Sequence, residues 1–196
     1  MKSTLRSMTH CLALAGLLVA GGLGHAASLT PLVDDFSDAT ANSLGIPRLF
    51  IDDRSSGGGT TLIQKTEAGV LRVSGEIAPP RGQPGWSSCV LALDANGRAR
   101  DASQFEGIRL RIRIERGTLS VSANSTAVTN YDYHAAQIVV TNDGAFHDVK
   151  IPFKSMKRMW SPQTPLDTAT IASLSIVAFG MQKGAVAFEL DEVGFY

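Results

Sequence analysis

Hydrophobic and charged residues alternate strictly along residues 108–115, which read Ile-Arg-Leu-Arg-Ile-Arg-Ile-Glu. Successive side chains of a β-strand point to opposite faces of a sheet, so one face of this segment would meet a core and the other would meet water. The same period of two recurs in other segments, at 70–74, 89–93, 119–123, 137–141, 149–153, 174–179 and 186–195. The pattern therefore predicts a protein built from strands.

Turn-forming residues separate these segments. Glycine and asparagine occur in short clusters at 57–59, 95–97, 116–117, 142–144 and 183–184, where they favour tight turns. No stretch between the clusters keeps the apolar spacing of a long amphipathic helix. About ten short strands with frequent turns indicate an all-β fold, a jelly-roll β-sandwich. Because the alternation continues to Tyr196, we expect the last strand to be structural and to lie beside the first.

The first 26 residues have the composition of an export signal. Lys2 and Arg6 supply positive charge, an apolar run follows over residues 12–23, and small residues at 24 and 26 fit a cleavage site. We predict residues 1–26 as a signal peptide and residues 27–196 as one β-sandwich domain. The apolar run is shorter than the ~20 residues of a membrane-spanning helix. The processed chain is therefore expected in the periplasm or outside the cell, without a membrane span.

The charge balance excludes a bulk nucleic-acid binder. Eighteen Lys and Arg residues balance eighteen Asp and Glu residues, whereas phosphate contacts require a basic excess. Loss of Lys2 and Arg6 with the signal peptide would leave sixteen basic residues against eighteen acidic ones, a net charge of −2. Cys11 would be lost too. The remaining Cys89 cannot form an internal disulfide bond and is expected to be buried.

Candidate catalytic groups are few. Cys89 could act as a nucleophile with His134 or His147 as its base, but a buried cysteine and two unrelated histidines are the interpretation that we favour. Asp52 or Asp53 could pair with Asp34, Glu189 or Asp191 as the acid and base of a glycosidase. Adjacent residues on a strand point to opposite faces, however, so Asp52 and Asp53 cannot both line one cleft. The sequence contains no serine-hydrolase elbow, phosphate loop or zinc-binding helix motif. It predicts no enzyme.

One cluster of residues is a candidate sugar-binding surface. Tyr131, Tyr133 and His134 place aromatic rings beside polar donors, and Trp160 follows in a basic, loop-like segment at 154–160. Rings and donors in this combination suit a ligand that is both stacked and hydrogen-bonded. Packing of the same rings within their own loops is the alternative.

Arg109, Arg111 and Arg113 form a second candidate surface, because they project from one face of the predicted central strand at intervals of ~7 Å. Such a row could bind an anionic polysaccharide or the carboxylates of a partner. Pairing with Asp and Glu on neighbouring strands is the alternative, and it is the one that we favour.

Taken in order, several segments resemble the complex I intermediate-associated protein 30 family, a branch of the galactose-binding-like jelly rolls. The series begins with Asp-Asp-Phe-Ser at 34–37 and continues at 52–58, 69–76, 85–88, 105–111, 131–133, 149–153 and 188–191. Two positions depart from the family pattern. Ser55 and Ser56 stand where Val-Met is common, and Phe146 stands where Trp is usual.

This resemblance implies a chaperone-like module, since members of the family are described as assembly factors for respiratory complex I in mitochondria. The signal peptide points to another compartment, so we expect an exported, bacterial-type member that holds a protein partner and does no covalent chemistry. Related jelly rolls bind carbohydrate. The resemblance therefore also implies an alternative, a carbohydrate-binding protein of the cell envelope. Its sugar ligand would be bound by Tyr131, Tyr133, Trp160 and Trp86.

A structural calcium ion is a further expectation, and it also draws on the resemblance, because galactose-binding-like jelly rolls often carry one. Asp34 or Asp35, near the start of the fold, and Asp191, near its end, would supply hard oxygen ligands. The ion would then join the first strand to the last. The alternative is that these carboxylates are solvated and face the row of arginines.

Overall fold

The computed structural model describes residues 29–196 as two antiparallel β-sheets without an α-helix. The expectation of an all-β jelly-roll sandwich is confirmed. The predicted signal peptide, residues 1–26, lies outside the described residues. Within residues 29–196, no helix is both long and apolar enough to pass through a bilayer.

The described part of the chain forms twelve strands. In chain order they are β1 (Leu32–Asp34), β2 (Leu49–Asp52), β3 (Thr61–Glu67), β4 (Val70–Ile77), β5 (Gly85–Ala92), β6 (Gly107–Arg116), β7 (Thr118–Ser125), β8 (His134–Ile138), β9 (His147–Pro152), β10 (Lys157–Arg158), β11 (Ile171–Gly180) and β12 (Gly184–Phe195). Short 3-10 helices lie at Asp53–Ser56, Phe153–Ser155 and Thr168–Thr170. Sheet 1 has the order β3-β4-β12-β6-β9, with β1 also paired to β12, and sheet 2 has the order β10-β8-β7-β11-β5-β2.

Alternation along β6 determines how sheet 1 meets the core. Ile108, Leu110 and Ile112 are buried, while the arginines between them face outward. β12 lies between β4 and β6, and β1 pairs with its end through Leu32 and Gly194. The first and last described strands are therefore neighbours, as the sequence pattern predicts.

A buried ion pair joins the N-terminal segment to β2. Arg48 donates from Nε and Nη2 to the two carboxylate oxygens of Asp34, at 2.5 and 2.8 Å, and both side chains are almost completely buried. The backbone N–H of Phe36 donates to the same carboxylate at 2.9 Å, and the guanidinium lies 4.9 Å from the centroid of the Phe36 ring. Buried charges need partners as complete as these, so the pair fixes β1 relative to β2.

Candidate binding face on sheet 2

Small polar side chains line the outward face of sheet 2. Because residues such as Leu91, Val121 and Ile176 face the core, alternation directs their neighbours away from it. Val90 on β5 and Val177 on β11 are apolar residues of this outward face. The polar ones on the three central strands are Ser88 on β5, Ser173 and Ser175 on β11, and Ser120, Ser122 and Asn124 on β7. We call the surface formed by these six residues the polar trough.

Exposure across the polar trough is lowest at its centre. In one row across the sheet, Leu49 on β2 is 56% exposed, whereas Ser175 and Ser122 on the central strands are 5% and 2% exposed. At the far edge of the same row, Lys157 on β10 is exposed again. Small residues therefore lie between larger ones across this row.

Hydrogen bonds between side chains order the floor of the polar trough. The Asn124 amide nitrogen donates to Ser173 Oγ at 2.9 Å and to Ser175 Oγ at 2.8 Å. Ser122 Oγ donates to Asn124 Oδ1 at 3.3 Å. A serine hydroxyl that accepts a hydrogen bond keeps its own proton to donate. The partly exposed residues of the trough, Ser120, Asn124 and Ser173, can therefore exchange hydrogen bonds with a hydroxyl-rich ligand without presenting a charge.

Two aromatic rings lie at one end of the polar trough. The pairing of β7 with β8 places Tyr133, one residue before β8, level with Asn124 on the outward side. Its ring meets that of Trp160 edge to face, with the centroids 5.3 Å apart. Trp160 is 62% exposed, and Tyr131 is 96% exposed. The structure thus brings together Tyr133 and Trp160, with Tyr131 two residues away along the chain.

A buried carboxylate fixes the loops that carry these rings. Asp132 accepts hydrogen bonds from Arg158 Nε at 2.9 Å and from the backbone N–H groups of Tyr133, Met159 and Ser161 at 2.8, 3.0 and 3.0 Å. Burial disfavours the charge, but the donated hydrogen bonds outweigh it, so the pKa of Asp132 falls well below its usual value. Four donors, one on β10 and three in the segments that carry the rings, therefore hold both aromatic rings in place.

A second aromatic pair lies at the opposite end of the same face. Trp86 on β5 and Phe179 on β11 are register partners, and they point outward like Ser88 two residues further along β5. Strand geometry, at ~3.3 Å per residue and ~4.8 Å per strand, separates this pair from Tyr133 by about 25 Å. Trp86 was a candidate from the sequence. Phe179 was missed, although alternation along β11 would have assigned it to the outward face.

His134 does not face a ligand, so that prediction is wrong. It is 1% exposed, because alternation turns it inward immediately after the outward-facing Tyr133. His134 Nε2 lies 2.8 Å from the carbonyl oxygen of Thr164, so Nε2 carries the proton and donates it. His134 thereby ties the loop that contains Trp160 to β8 and acts as a positioning residue.

The arginine row lies on the outward face of sheet 1, away from the aromatic rings. Each arginine contacts a carboxylate on β12, in the pairs Arg109–Glu192, Arg111–Asp191 and Arg113–Glu189. The Phe146 ring also lies 5.7 and 5.2 Å from the guanidinium carbons of Arg111 and Arg113. Cross-strand pairing, the alternative favoured from the sequence, is what the structure shows. Arg109 and Arg111 therefore do not join Tyr133 in one site.

The predicted calcium ligands do not form a metal site. Both carboxylate oxygens of Asp34 accept from Arg48, Asp35 accepts from two serine hydroxyls, and Asp191 pairs with Arg111. Within residues 29–196, no group of three or more acidic, histidine or cysteine side chains is placed to hold a metal. Because a guanidinium already supplies the positive charge at Asp34, calcium does not fit these side chains.

The candidate catalytic groups are kept apart. Cys89 lies in the core, and its burial, together with the charge of Asp34, raises the pKa of its thiol to about 12, whereas a nucleophile needs the thiolate. His147 begins β9 in the other sheet. Asp53 is buried and accepts hydrogen bonds inside the fold, while Asp52 forms a surface ion pair. These residues do not compose a catalytic site.

The model of the complex I intermediate-associated protein 30 family matches residues 47–191, most of the chain. The chain belongs to this family. The resemblance seen in the ordered segments is thus confirmed over that range, and the match supports a binding or assembly module. Among curated proteins, none matches the chain significantly.

Carbohydrate-binding modules share the fold of this complex I intermediate-associated protein 30 domain. The family 11 module of the cellulosomal cellulase Lic26A-Cel5E of Clostridium thermocellum has a TM-score of 0.58 at 19% identity, over 84% of this chain and 92% of that one. A Clostridium thermocellum family 11 module in complex with a β-1,3-1,4-mixed-linked tetrasaccharide has a TM-score of 0.57 at 18% identity. The match covers 84% of this chain and 94% of that one. Part of an agarase has a TM-score of 0.57 at 10% identity. The match covers 85% of this chain and 26% of that one.

Proposed function

We propose that the chain is a non-catalytic binding module whose polar trough holds a linear polysaccharide. One observation carries the proposal: the half-buried Tyr133 and the exposed Trp160 are held by Asp132 at the end of an uncharged surface of small, mostly hydroxyl-bearing residues. A sugar ring has an apolar face that packs on an aromatic ring and a polar edge that hydrogen-bonds, so it matches both parts of this surface.

Tyr133 also offers a hydroxyl donor at this end of the polar trough. Burial and the charge of Asp132 raise the pKa of Tyr133 above its usual value, so the phenol keeps its proton throughout the physiological pH range. The fold likeness to a module solved with a mixed-linked tetrasaccharide supports the proposal. The second aromatic pair, Trp86 and Phe179, would bind the same sugar chain at the far end of the trough.

Trp160→Ala is expected to weaken polysaccharide binding at least about tenfold, a loss of ~1.4 kcal/mol, because exposed tryptophans at a binding surface contribute most of its affinity. Binding is measured by affinity electrophoresis on a panel of linear polysaccharides, followed by calorimetry on oligosaccharides of the best one. Affinity should rise with oligosaccharide length until the ligand reaches from Tyr133 to Trp86.

Ile63→Ala is the matched control for this experiment. Ile63 is 70% exposed but lies on β3 in sheet 1, away from the trough, so its variant should bind like the wild type. Equal affinity of wild type and Trp160→Ala for every glycan bound would contradict the proposal.

The edge of sheet 2 favours a second candidate function, the holding of a protein partner. β2 is an edge strand, and its residues Leu49, Phe50 and Ile51 are 56%, 37% and 41% exposed. The Arg48 N–H donates to the carbonyl of Thr40, on the side away from β5. The backbone groups of Phe50, two residues further on, point to the same open edge. An open edge can accept a strand from another chain, in keeping with the family match.

Ile51→Lys is expected to prevent such a partner from binding, because a lysine on an edge strand opposes the addition of another strand. Partners are captured on immobilised protein from an envelope extract and compared by mass spectrometry. Ile63→Lys, on the edge strand of the other sheet, is the control and should retain the partner. A partner retained by both variants would exclude β2 as the docking edge.

A further inference from the structure

A cavity of about 510 Å³ lies at the β10 edge of sheet 2. Its apolar lining comes from Phe153, Met156, Pro165 and Leu166. Phe153 and Met156 are buried, so the floor of the cavity is part of the hydrophobic core. The volume falls within the ~300–1,000 Å³ of small-molecule sites.

Two lysines, Lys154 and Lys157, complete the polar side of this cavity. Neither forms an ion pair with a residue between 29 and 196, whereas each of the other three lysines in that range contacts a glutamate or an aromatic ring. The described lining contains no Asp or Glu. The cavity therefore combines an apolar surface with two ammonium groups, which suits a ligand with a negative charge.

Hydrogen bonds hold the wall of the cavity in place. The Gln163 side chain accepts from the Arg158 N–H at 3.0 Å and donates to the Arg158 carbonyl at 2.8 Å. The Thr164 carbonyl accepts from His134. Because this loop is already ordered, the free energy of ligand binding is not reduced by an entropic cost of ordering it.

Lys157 connects the cavity with the polar trough. It is the register partner of Ala135 and ends the row that begins with Leu49, so a sugar chain leaving the trough across β10 meets Lys157 first. We infer that the cavity binds a carboxylate-bearing sugar, with Lys154 and Lys157 contacting the carboxylate and Leu166 contacting the ring. If this sugar is one unit of the polysaccharide that the polar trough binds, the inference rests on the proposed function.

The inference is tested with three ligands: oligogalacturonate, a neutral mixed-linked glucan oligosaccharide of the same length, and free glucuronate. Calorimetry at low and at physiological ionic strength should show the acidic oligomer bound about tenfold more tightly than the neutral one, with the preference reduced by salt. The double variant Lys154→Gln/Lys157→Gln should lose this preference. Lys150→Gln, whose ammonium lies over the Tyr196 ring on the other sheet, should keep it.

The outcomes separate the cavity from the trough. If the double variant binds all three ligands like the wild type, the inference is wrong, and the proposed function still stands where Trp160→Ala abolishes binding. Binding of free glucuronate that is lost in the double variant but retained in Trp160→Ala supports a cavity that takes the sugar acid from solution. Failure of both acidic ligands to bind better than the neutral oligomer overturns the inference.

Discussion

Arg48→Ala is expected to destabilise the fold by about 3–5 kcal/mol, because it leaves the buried carboxylate of Asp34 without a partner charge. The substitution also removes the cation beside the Phe36 ring and the donor to the Asp38 carbonyl. A domain of this size is stable by only ~5–15 kcal/mol, so the effect is a large share of the total. Urea denaturation followed by tryptophan fluorescence measures it as a lower midpoint at an unchanged slope.

Arg54→Ala is the control for Arg48→Ala. Arg54 also pairs with an aspartate, Asp52, but its side chain is 69% exposed, and exposed pairs contribute ~0–1 kcal/mol. A loss of stability for Arg48→Ala no larger than that of Arg54→Ala would show that the buried pair does not hold the N-terminal segment.

Asp132→Ala is expected to weaken polysaccharide binding strongly, although Asp132 is buried and is not proposed to touch the ligand. The change leaves the Arg158 guanidinium and three backbone N–H groups without their acceptor, at a local cost of about 3 kcal/mol. The loops that carry Tyr133 and Trp160 then lose their fixed arrangement, and ordering them again weakens binding more than about tenfold. Calorimetry measures the affinity, and amide hydrogen exchange over residues 158–164 reports the loosened loop.

Asp143→Ala is the matched control for this loop variant. Asp143 is also a loop carboxylate that holds a partner, His147 at 2.9 Å, but it lies beside β9 of sheet 1 and near the surface. Its variant should bind polysaccharide like the wild type. Wild-type affinity in Asp132→Ala would show that the aromatic rings need no such support.

The same carboxylate predicts the pH dependence of binding. The folded-state pKa of Asp132 is depressed, so its stabilising effect is fully present above the unfolded pKa of ~4 and is lost as the pH falls from there through the folded value. Binding should therefore be constant from about pH 5 to 8 and should weaken only in stronger acid. A loss of affinity near pH 6–7 would instead show that a histidine controls the pH dependence of binding.

Period-two alternation was sufficient to predict the sandwich, because it reports directly which residues meet the core. Ile108, Leu110 and Ile112 are buried as the pattern requires. The same rule would have turned His134 inward and Phe179 outward. His134 was instead grouped with Tyr133 by composition, and composition does not report direction.

Partners distant in the chain could not be predicted from the sequence. Asp132 meets Arg158 only because β8 pairs with β10, and Asp34 meets Arg48 only because a turn returns the chain to it. The predicted calcium site failed at Asp34 for this reason: the carboxylate was visible in the sequence, but its partner Arg48 was not. Pairing of that kind depends on register, which local pattern does not specify.

The position of β12 has a consequence for the order of folding. It lies between β4 and β6 and also takes up β1, yet it is synthesised after every other described strand. The β3–β4 pair and the β6–β9 pair therefore cannot join into one sheet until β12, which begins at residue 184, has been synthesised. Such distant pairings form late. β4, paired with β3, and β6, paired with β9, therefore each keep one edge unpaired until β12 is made, and unpaired strand edges favour aggregation.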